Sequence, residues 1–167
     1  MSLTFEFILE DARWQAQELA AIGAKLGDVI PQHLPLPAQC SAVVMACDDA
    51  QIAQLNQDFR GKPQPTNVLS WPAADLSAHK PGAQPKRAVD PELGDIAIAY
   101  ETCLRESQAA GLAILDHLTH LLLHGTLHLL GYDHIEDADA EVMEALEIKM
   151  LASLGISNPY VMNNETQ

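Results

Sequence analysis

The sequence predicts an α/β (α+β) fold in which helices pack on a small mixed β-sheet of about four strands. Short segments with alternating or β-branched apolar residues recur through residues 1–100, as strands do. Amphipathic segments of helical period separate them and fill the rest of the chain. With 167 residues, 48% of them hydrophobic, the chain has the size and composition of one globular domain.

The predicted strands are short segments bounded by turn residues or helices, at residues 3–10, 41–47, 68–71 and 93–100. Pro72 ends the third strand, and we expect that strand at an edge of the sheet because proline donates no backbone hydrogen bond. Residues 72–91 contain four prolines and no clear period, so we expect a long loop there.

The predicted helices follow the 3.6-residue period of their apolar side chains, at residues 11–29, 49–60, 101–110, 113–130 and 137–154. Asp11 is expected to cap the first helix and Gly61 to end the second. The inner faces of the second and last helices are predicted to carry Ile52, Leu55 and Phe59, and Val142, Leu146, Met150 and Leu154. The helix over residues 113–130 is so apolar that it should be central. The order is therefore β-α-β-α-β-β-α-α-α.

The charge of the chain is unevenly distributed. Its net value of −14 argues, by itself, against binding to nucleic acid. Five of the nine basic residues nevertheless lie between positions 59 and 89, against a single acid, at Arg60, Lys62, Lys80, Lys86 and Arg87. Such a local patch can engage phosphates, because charges in salt act over about 10 Å or less. The alternative for the last three is that they only keep a loop solvated.

The chain has none of the sequence features of a membrane or secreted protein. No apolar run approaches the roughly 20 residues that span a bilayer, and the N-terminus has no basic region, so we expect no membrane partner. The three cysteines, Cys40, Cys47 and Cys103, form no C-x-x-C pair. A small and odd number of cysteines favours buried free thiols in a reducing cytoplasm.

The most informative stretch runs from His124 to His134 and has the spacing H-x-x-x-H-x-x-G-x-x-H. The imidazoles of His124 and His128 project from one face of a helix, about 6 Å apart along its axis. Gly131 can take a positive φ, end the helix and turn His134 toward them. Three neutral imidazoles with no fourth protein ligand describe a catalytic zinc site with one open position, and so one Zn²⁺ per chain.

Helical spacing also permits a simpler interpretation of these histidines. A stripe at that spacing contains His117, His120, His124 and His128, and a single histidine on such a face is more often a core residue than a ligand. Here the i, i+4 pair, the glycine and the third histidine occur within eleven residues. This conjunction favours metal ligation.

Hydrolysis is the default chemistry of such a zinc site, because the metal lowers the pKa of its bound water to about 7. The spacing equals that of metzincin proteases, H-E-x-x-H-x-x-G-x-x-H, with one departure. Position 125, where those proteases carry the general-base glutamate, is glycine. A protease is therefore disfavoured, because its mechanism loses the proton acceptor.

Arg60 and His120 are the candidate catalytic residues. The planar guanidinium of Arg60 can hold a phosphate and offset the charge that develops during phosphoryl transfer; the alternative is an ordinary surface arginine. His120 lies one turn before His124 and either shuttles a proton or only lines the cleft. Asp133 and Asp95 either brace the ligands or cap turns, and the sequence leaves both roles open.

These residues occur in three blocks that resemble the YbeY family of bacterial rRNA-maturation endoribonucleases. The blocks are residues 55–71, 93–98 (Leu-Gly-Asp-Ile-Ala-Ile) and 117–134 (His-Leu-Thr-His-Leu-Leu-Leu-His-Gly-Thr-Leu-His-Leu-Leu-Gly-Tyr-Asp-His). They span about the central half of the chain in the family's order. The last block is the most specific of the three.

The resemblance implies a fold, a site and an activity. The fold is a single α/β domain. The site is a zinc ion in a cleft lined by Arg60 and His120, with the metal on His124, His128 and His134. The activity is cleavage of single-stranded RNA in the cytoplasm, with maturation of the 3′ end of 16S rRNA and quality control of ribosomes, so that rRNA and the small ribosomal subunit are the implied partners.

Two departures from the family's pattern bear on the chemistry. The family's usual Thr-Asp-Val-Leu-Ser-Phe is Thr-Asn-Val-Leu-Ser-Trp over residues 66–71. The loss of the acid at position 67 weakens any proton-transfer or bracing role there. The loop over residues 72–91 is longer and more basic than the family leads us to expect, so an RNA contact by that loop is inferred from its charge.

The leading hypothesis is a zinc-dependent endoribonuclease specific for single strands, with one metal-dependent hydrolase domain over residues 1–157 and a flexible C-terminal tail over residues 158–167. One alternative is a non-catalytic ribosome-assembly factor that zinc stabilises, since the sequence shows no obvious carboxylate base beside the ligands. The other alternative is a metal-dependent hydrolase of a different substrate, such as a peptide, given the protease-like spacing.

Overall fold

Four strands and five helices follow one another in the predicted order within residues 2–161, the part of the chain that the computed structural model describes. They are β1 (Ser2–Leu9), α1 (Ala16–His33), β2 (Gln39–Cys47), α2 (Asp49–Arg60), β3 (Val68–Pro72), β4 (Glu92–Ala99), α3 (Tyr100–Ala110), α4 (Ile114–Leu129) and α5 (Asp137–Ser153). The predicted α/β class, with helices on a mixed sheet of four strands, is confirmed.

The strand order in the sheet is β1-β2-β4-β3. The first three of these are parallel, whereas β3 pairs antiparallel with β4. Helix α1 connects β1 to β2, and the connection from β2 to β4 runs through α2, β3 and the long loop. The position of β3 at an edge confirms the expectation drawn from Pro72. The inner strands β2 and β4 are rich in buried apolar residues because helices cover both of their faces.

The sheet separates two cores of unequal size. On one face, alternate side chains such as Val44, Ile96 and Ile98 belong to a single core with apolar residues of α1, α4 and α5. On the other face, Ala97 and its neighbours meet Ile52 of α2 in a much smaller core. The leucine-rich α4 lies in the larger core, which confirms its central position. None of the helices within residues 2–161 has both the length and the hydrophobicity to cross a membrane.

The first helix differs from its predicted bounds at both ends. It begins at Ala16, because the Asp11 carboxylate accepts hydrogen bonds from the backbone and guanidinium of Arg13 and so fixes a turn. It continues through Pro31 to His33. The fixed φ of proline is itself helical, and the missing N–H removes only one hydrogen bond near the end of the helix.

The predicted inner position of Phe59 is wrong. Its side chain is 63% exposed, because the smaller core covers only the middle of α2, where Ile52 and Asn56 are buried. The Phe59 ring instead contacts Trp71 of β3, with 5.4 Å between the ring centroids.

The buried face of α5 is also rotated from its predicted position. Its fully buried residues are Met143, Glu147, Met150 and Leu151. The predicted Val142, Leu146 and Leu154 are only partly buried. The contact with α4 determines which side of α5 is buried, and this is not the side that the apolar residues of α5 predict. It places the Glu147 carboxylate in the protein interior.

The segment that was predicted as a tail begins just after α5. Within it, residues 158–161 turn back so that the Tyr160 ring meets His120, with 5.6 Å between the ring centroids. Residues 162–167 lie outside the described residues.

Gly27 marks the closest approach of α1 to β1. A Cβ added there would collide with the carbonyl oxygen of Leu3, a backbone atom held in the sheet. We expect Gly27→Ala to lower the free energy of unfolding by about 1–3 kcal/mol, as overpacking does, although alanine favours helix. Urea unfolding followed by circular dichroism measures this change.

Gly23→Ala is the matched control within the same helix. A Cβ there would lie 2.9 Å from the far end of the Phe7 ring, a side chain that can rotate away. The stability of this variant should stay within about 1 kcal/mol of the wild type. Equal stabilities for the two variants would contradict the close approach at Gly27.

Candidate metal centre

Three histidine side chains converge where α4 ends. His124 and His128 lie one turn apart on α4, with 4.6 Å between their ring centroids. Gly131, whose φ is 99°, turns the chain after the helix. The ring centroid of His134 thereby returns to 5.2 Å from that of His124 and 5.1 Å from that of His128. The structure thus brings together the three predicted ligands, whose nearest ring nitrogens all lie within 4.8 Å of one another.

Hydrogen bonds decide which nitrogens of two of these rings are protonated. Nδ1 of His128 lies 2.9 Å from the carbonyl oxygen of Tyr132; because a carbonyl can only accept, this nitrogen donates. Nδ1 of His124 lies 2.6 Å from a carboxylate oxygen of Glu147 and donates to it. In neutral rings each Nε2 then carries a lone pair, and the two Nε2 atoms face each other at 3.0 Å.

Two lone pairs at this distance repel each other unless a proton or a cation lies between them. Burial, reinforced by His124 and His134, lowers the pKa of His128 to about 4, so His128 is neutral near pH 7 and keeps the lone pair on its Nε2. Tetrahedral zinc, with Zn–N bonds of about 2.0–2.1 Å, holds its nitrogen ligands about 3.3 Å apart. The spacing of the two rings therefore suits a divalent cation.

Glu147 of α5 holds these rings in place, and it is the main residue that sequence reasoning missed. Its side chain is fully buried and accepts hydrogen bonds from His124, from Nε2 of His120 at 3.1 Å and from the hydroxyl of Tyr160. Burial alone would raise the pKa of this carboxyl group, but the three hydrogen bonds outweigh it and lower the pKa to about 2. Glu147 is therefore ionised inside the protein at neutral pH.

The sequence contained a signal for Glu147 but none for Tyr160. Positions 143, 147 and 150 share one face at helical spacing, and the outer two are methionines. Because an acid on an apolar face is rarely buried without a partner, Glu147 pointed to a polar cluster. The contact of Tyr160 depends on how the chain turns after α5, which no local pattern specifies.

The same carboxylate holds His120. The Nε2 of His120 donates to Glu147, while its Nδ1 has no hydrogen-bond partner within residues 2–161. Ligand atoms of His120, His124 and Glu147 also lie within 4.8 Å of one another, close enough to hold a metal ion. Hydrogen bonds from the two histidines to the carboxylate already join these three side chains. His120 thus stands beside the three converging histidines with one nitrogen fixed and the other available.

A cleft of about 970 Å³ contains all four histidines. Arg60, the last residue of α2, also lines it and forms no ion pair with any residue in the described part of the chain. Phe59 and Trp71 lie in the wall beside Arg60. The two candidate catalytic residues and the three predicted ligands therefore share one cleft.

Part of the predicted loop forms a wall of this cleft. Residues 74–77 line it, and Leu76 lies so close to Gly131 that a Cβ there would collide with the Leu76 carbonyl group. The backbone N–H of Gly82 donates to Asp139 of α5 at 2.8 Å, which attaches the loop to the helix. The basic residues of the loop are exposed but do not line the cleft; they are Lys80, Lys86 and Arg87.

Gly125 faces the sheet and not open space. A Cβ added there would lie 3.3 Å from the Ile96 side chain and 3.4 Å from that of Val68. The glycine therefore allows α4 to pack closely on β3 and β4. A glutamate in this position, as in the proteases of the same histidine spacing, would have to displace these side chains.

Three other polar residues have contacts that bear on their open roles. Asp133 accepts a hydrogen bond from the backbone N–H of His134 at 2.7 Å, so it caps the turn. Asp95 lies in β4 and does not line the cleft. Asn67 lines the cleft and donates to Glu106 at 3.0 Å. An aspartate at position 67 would set two carboxylates against each other, so the amide fits this neighbour better.

Comparisons with known proteins bear on the family and the fold of this chain. The family model described as Endoribonuclease YbeY matches residues 6–155. The chain is 53% identical to Endoribonuclease YbeY of Paracoccus denitrificans, over 93% of this chain and 89% of that protein. It is 51% identical to Endoribonuclease YbeY of Ruegeria pomeroyi, over 96% of this chain and 99% of that protein. The solution structure of TM1509 from Thermotoga maritima shares the fold, with a TM-score of 0.62 at 22% identity over 90% and 89% of the two chains.

The lowered pKa of His128 predicts how acid affects the metal-free protein. Folding holds this pKa at about 4 against an ordinary value of 6.5, so the unfolded state binds more protons between these limits. The free energy of unfolding is therefore highest above about pH 6.5. It decreases as the pH falls to about 4, by about 3 kcal/mol at most. Urea unfolding at a series of pH values, with a chelator present, measures this slope.

Two variants isolate the contribution of His128. His128→Gln should reduce the slope within this pH window, because the titrating ring is gone. His79→Gln, in an exposed part of the loop, should keep the wild-type slope. Identical slopes for the wild type and His128→Gln would contradict the lowered pKa.

Proposed function

The chain belongs to the endoribonuclease YbeY family, and from that premise we propose that it is a zinc-dependent endonuclease that cleaves single-stranded RNA. Relatives that are about half identical to it over nearly their whole length are named endoribonucleases, so the chain is an enzyme that hydrolyses phosphodiester bonds in RNA. The observation that carries the metal dependence is the approach of Nε2 of His124 to Nε2 of His128, at 3.0 Å, while each Nδ1 is engaged by an acceptor.

Zinc is the ion that suits this set of donors. His124, His128 and His134 offer only imidazole nitrogens, which zinc accepts readily, whereas magnesium and calcium prefer oxygen ligands. Three protein ligands leave a fourth position open, as in catalytic zinc sites. When bound, a zinc ion supplies Lewis acidity and activates water near neutral pH. The proposal is one zinc ion per chain.

Arg60 binds the phosphate of the strand and stabilises the negative charge that develops on it. The guanidinium lies on the cleft without a carboxylate partner among residues 2–161, so its planar fork remains available for two hydrogen bonds to phosphate oxygens. A hydrogen-bond donor directed at the oxygen on which negative charge develops stabilises the transition state most in a cleft from which water is partly excluded.

His120 accepts, at Nδ1, the proton that the attacking water loses during hydrolysis. Because its Nε2 donates to Glu147, the neutral ring keeps its lone pair on Nδ1. When Nδ1 gains the proton, the ring becomes a cation beside an ionised carboxylate, which stabilises it. This is the relation between histidine and aspartate in a catalytic triad.

We further propose that the substrate is the 3′ end of 16S rRNA in the small ribosomal subunit, and that the enzyme acts in ribosome quality control in the cytoplasm. Family membership supports rRNA processing. The three cysteines are free and buried, and burial raises the pKa of Cys47 and Cys103 to about 12. Such unreactive thiols suit a reducing compartment. Residues 1–157 would act as one metal-dependent hydrolase domain, onto which Tyr160 packs.

Two further observations count against the alternatives. The assembly-factor hypothesis rested on the lack of a carboxylate base beside the ligands, but Nδ1 of His120 is available to accept the proton instead, and relatives about half identical to this chain are named endoribonucleases. The hypothesis of a peptide hydrolase rested on the histidine spacing. Position 125, where such a hydrolase carries its base, is a glycine, and a Cβ added there would already lie 3.3 Å from Ile96 and 3.4 Å from Val68.

Arg60→Ala should reduce cleavage of single-stranded RNA by about 10²–10³-fold, as loss of a donor to developing charge does. Bound zinc and stability should not change, because the side chain lies at the surface. Single-turnover cleavage of a labelled oligoribonucleotide, with elemental analysis of the metal, measures both quantities. Lys25→Ala, which removes an exposed cation of α1 that does not line the cleft, is the control and should cleave at nearly the wild-type rate. Wild-type cleavage by Arg60→Ala would overturn the assigned role.

Glu147→Gln should weaken zinc binding by about 10–100-fold, because an amide cannot accept hydrogen bonds from both histidines as the carboxylate does. Competition with a chromophoric chelator measures the affinity without any assay of RNA cleavage. Tyr160→Phe keeps the carboxylate, so its zinc affinity should decrease less. Glu141 is exposed on the same helix, and Glu141→Gln should bind zinc as tightly as the wild type. Unchanged affinity in Glu147→Gln would mean that this carboxylate does not position a metal ligand.

A further inference from the structure

We propose that Phe59 and Trp71 form a stacking site for one unpaired nucleobase, at the rim of the cleft beside Arg60. The inference rests on the proposed function, because it names how the RNA strand is held next to the phosphate that Arg60 binds. The ligand at this site is the flat face of a base and not a particular sequence.

The exposure of Phe59 is the first observation. The ring is 63% exposed, although it belongs to a helix whose other apolar residues, Ile52 and Leu55, pack against the sheet. It is not part of either core, and the ring that it contacts is Trp71. The Phe59 side chain thus contributes little to the packing of the protein, and much of its surface remains free for a ligand.

The rigidity of Trp71 is the second observation. This residue belongs to β3, pairs in register with Asp95 of β4 and packs on the smaller core. The next strand approaches it so closely at Gly94 that a Cβ there would collide with the Trp71 carbonyl oxygen. The planes of the Phe59 and Trp71 rings meet at 68°, so an edge of one supports the face of the other. A ring held in this way is pre-organised for stacking.

Charge favours a nucleotide over an apolar peptide as the occupant. Arg60 directly follows Phe59 in the chain and lines the same cleft, and Lys62 is exposed two residues further on. On a chain with a net charge of −14, two cations next to an exposed aromatic ring select an anionic ligand that also has a flat apolar part. A nucleotide of a single strand combines both, with its phosphate at Arg60 and its base at Phe59.

This site would also give a preference for single strands. In a duplex, both faces of each base are already stacked on neighbouring bases, so Phe59 has no free face to contact. In a single strand the bases can be splayed out onto aromatic side chains. The contact would be tolerant of sequence, because every base offers a flat face.

The test compares Phe59→Ala with the wild-type zinc enzyme. The substrates are a ten-nucleotide RNA without self-pairing and a set of otherwise identical strands, each of which lacks the base at one different position. Phe59→Ala should raise KM by about fivefold to a hundredfold with little change in kcat, since each stacked base contributes to binding on that scale. It should also no longer distinguish the intact strand from the abasic strands. Phe59→Tyr should restore both properties. Val89→Ala, another highly exposed apolar residue but away from the cleft, should behave as the wild type.

Tryptophan fluorescence gives a readout that does not depend on cleavage. The chain has two tryptophans, of which Trp14 is buried, so quenching by added RNA reports mainly on Trp71. Quenching should occur with the single strand and be much weaker with the corresponding duplex. If the wild type cleaves RNA but Phe59→Ala keeps its KM and its discrimination against abasic strands, the stacking site is overturned and the proposed function stands. If RNA quenches Trp71 but is never cleaved, the proposed function fails and the stacking site stands.

Discussion

The candidate site depends on one buried interaction, the hydrogen bonds that the ionised Glu147 accepts from His124 and His120. A charge in the protein interior is costly unless its partners are fixed, and here each partner is a ring whose orientation the chemistry requires. The carboxylate keeps the hydrogen of His124 on Nδ1 and so turns a lone pair on Nε2 toward His128. The same charge therefore holds the helices α4 and α5 together and prepares the metal-binding face of the first of them.

The fold serves this interaction through two glycines. Gly125 lets α4 approach the sheet closely, so that the opposite side of the helix carries its histidines into the cleft at a fixed height. Gly131 ends the helix with a positive φ and returns His134 to the other two rings. Neither position tolerates a side chain without displacement of its neighbours. The geometry of the three rings is thus set by backbone packing as much as by the rings themselves.

The sequence predicted the features that depend on neighbours along the chain. The order of elements, the edge strand ended by Pro72 and the convergence of His124, His128 and His134 all follow from local periods and a glycine turn. It did not predict features that depend on distant packing. Glu147 lies 23 residues from His124, and its importance arises only when α5 docks with that face inward. The exposure of Phe59 likewise depends on how little of α2 the smaller core covers, which helical period cannot reveal.

The position of Tyr160 has a consequence for how this protein is made. All four strands lie within residues 2–99, whereas the residues around the histidines come from positions 120–160. During synthesis the scaffold therefore emerges first, and a growing chain acquires the glutamate and then the tyrosine only after all four strands have been made. A product that stops before position 147 retains every histidine but nothing to orient two of them. A nascent chain can therefore hold these rings in their metal-binding orientation only after α5 and Tyr160 have been synthesised.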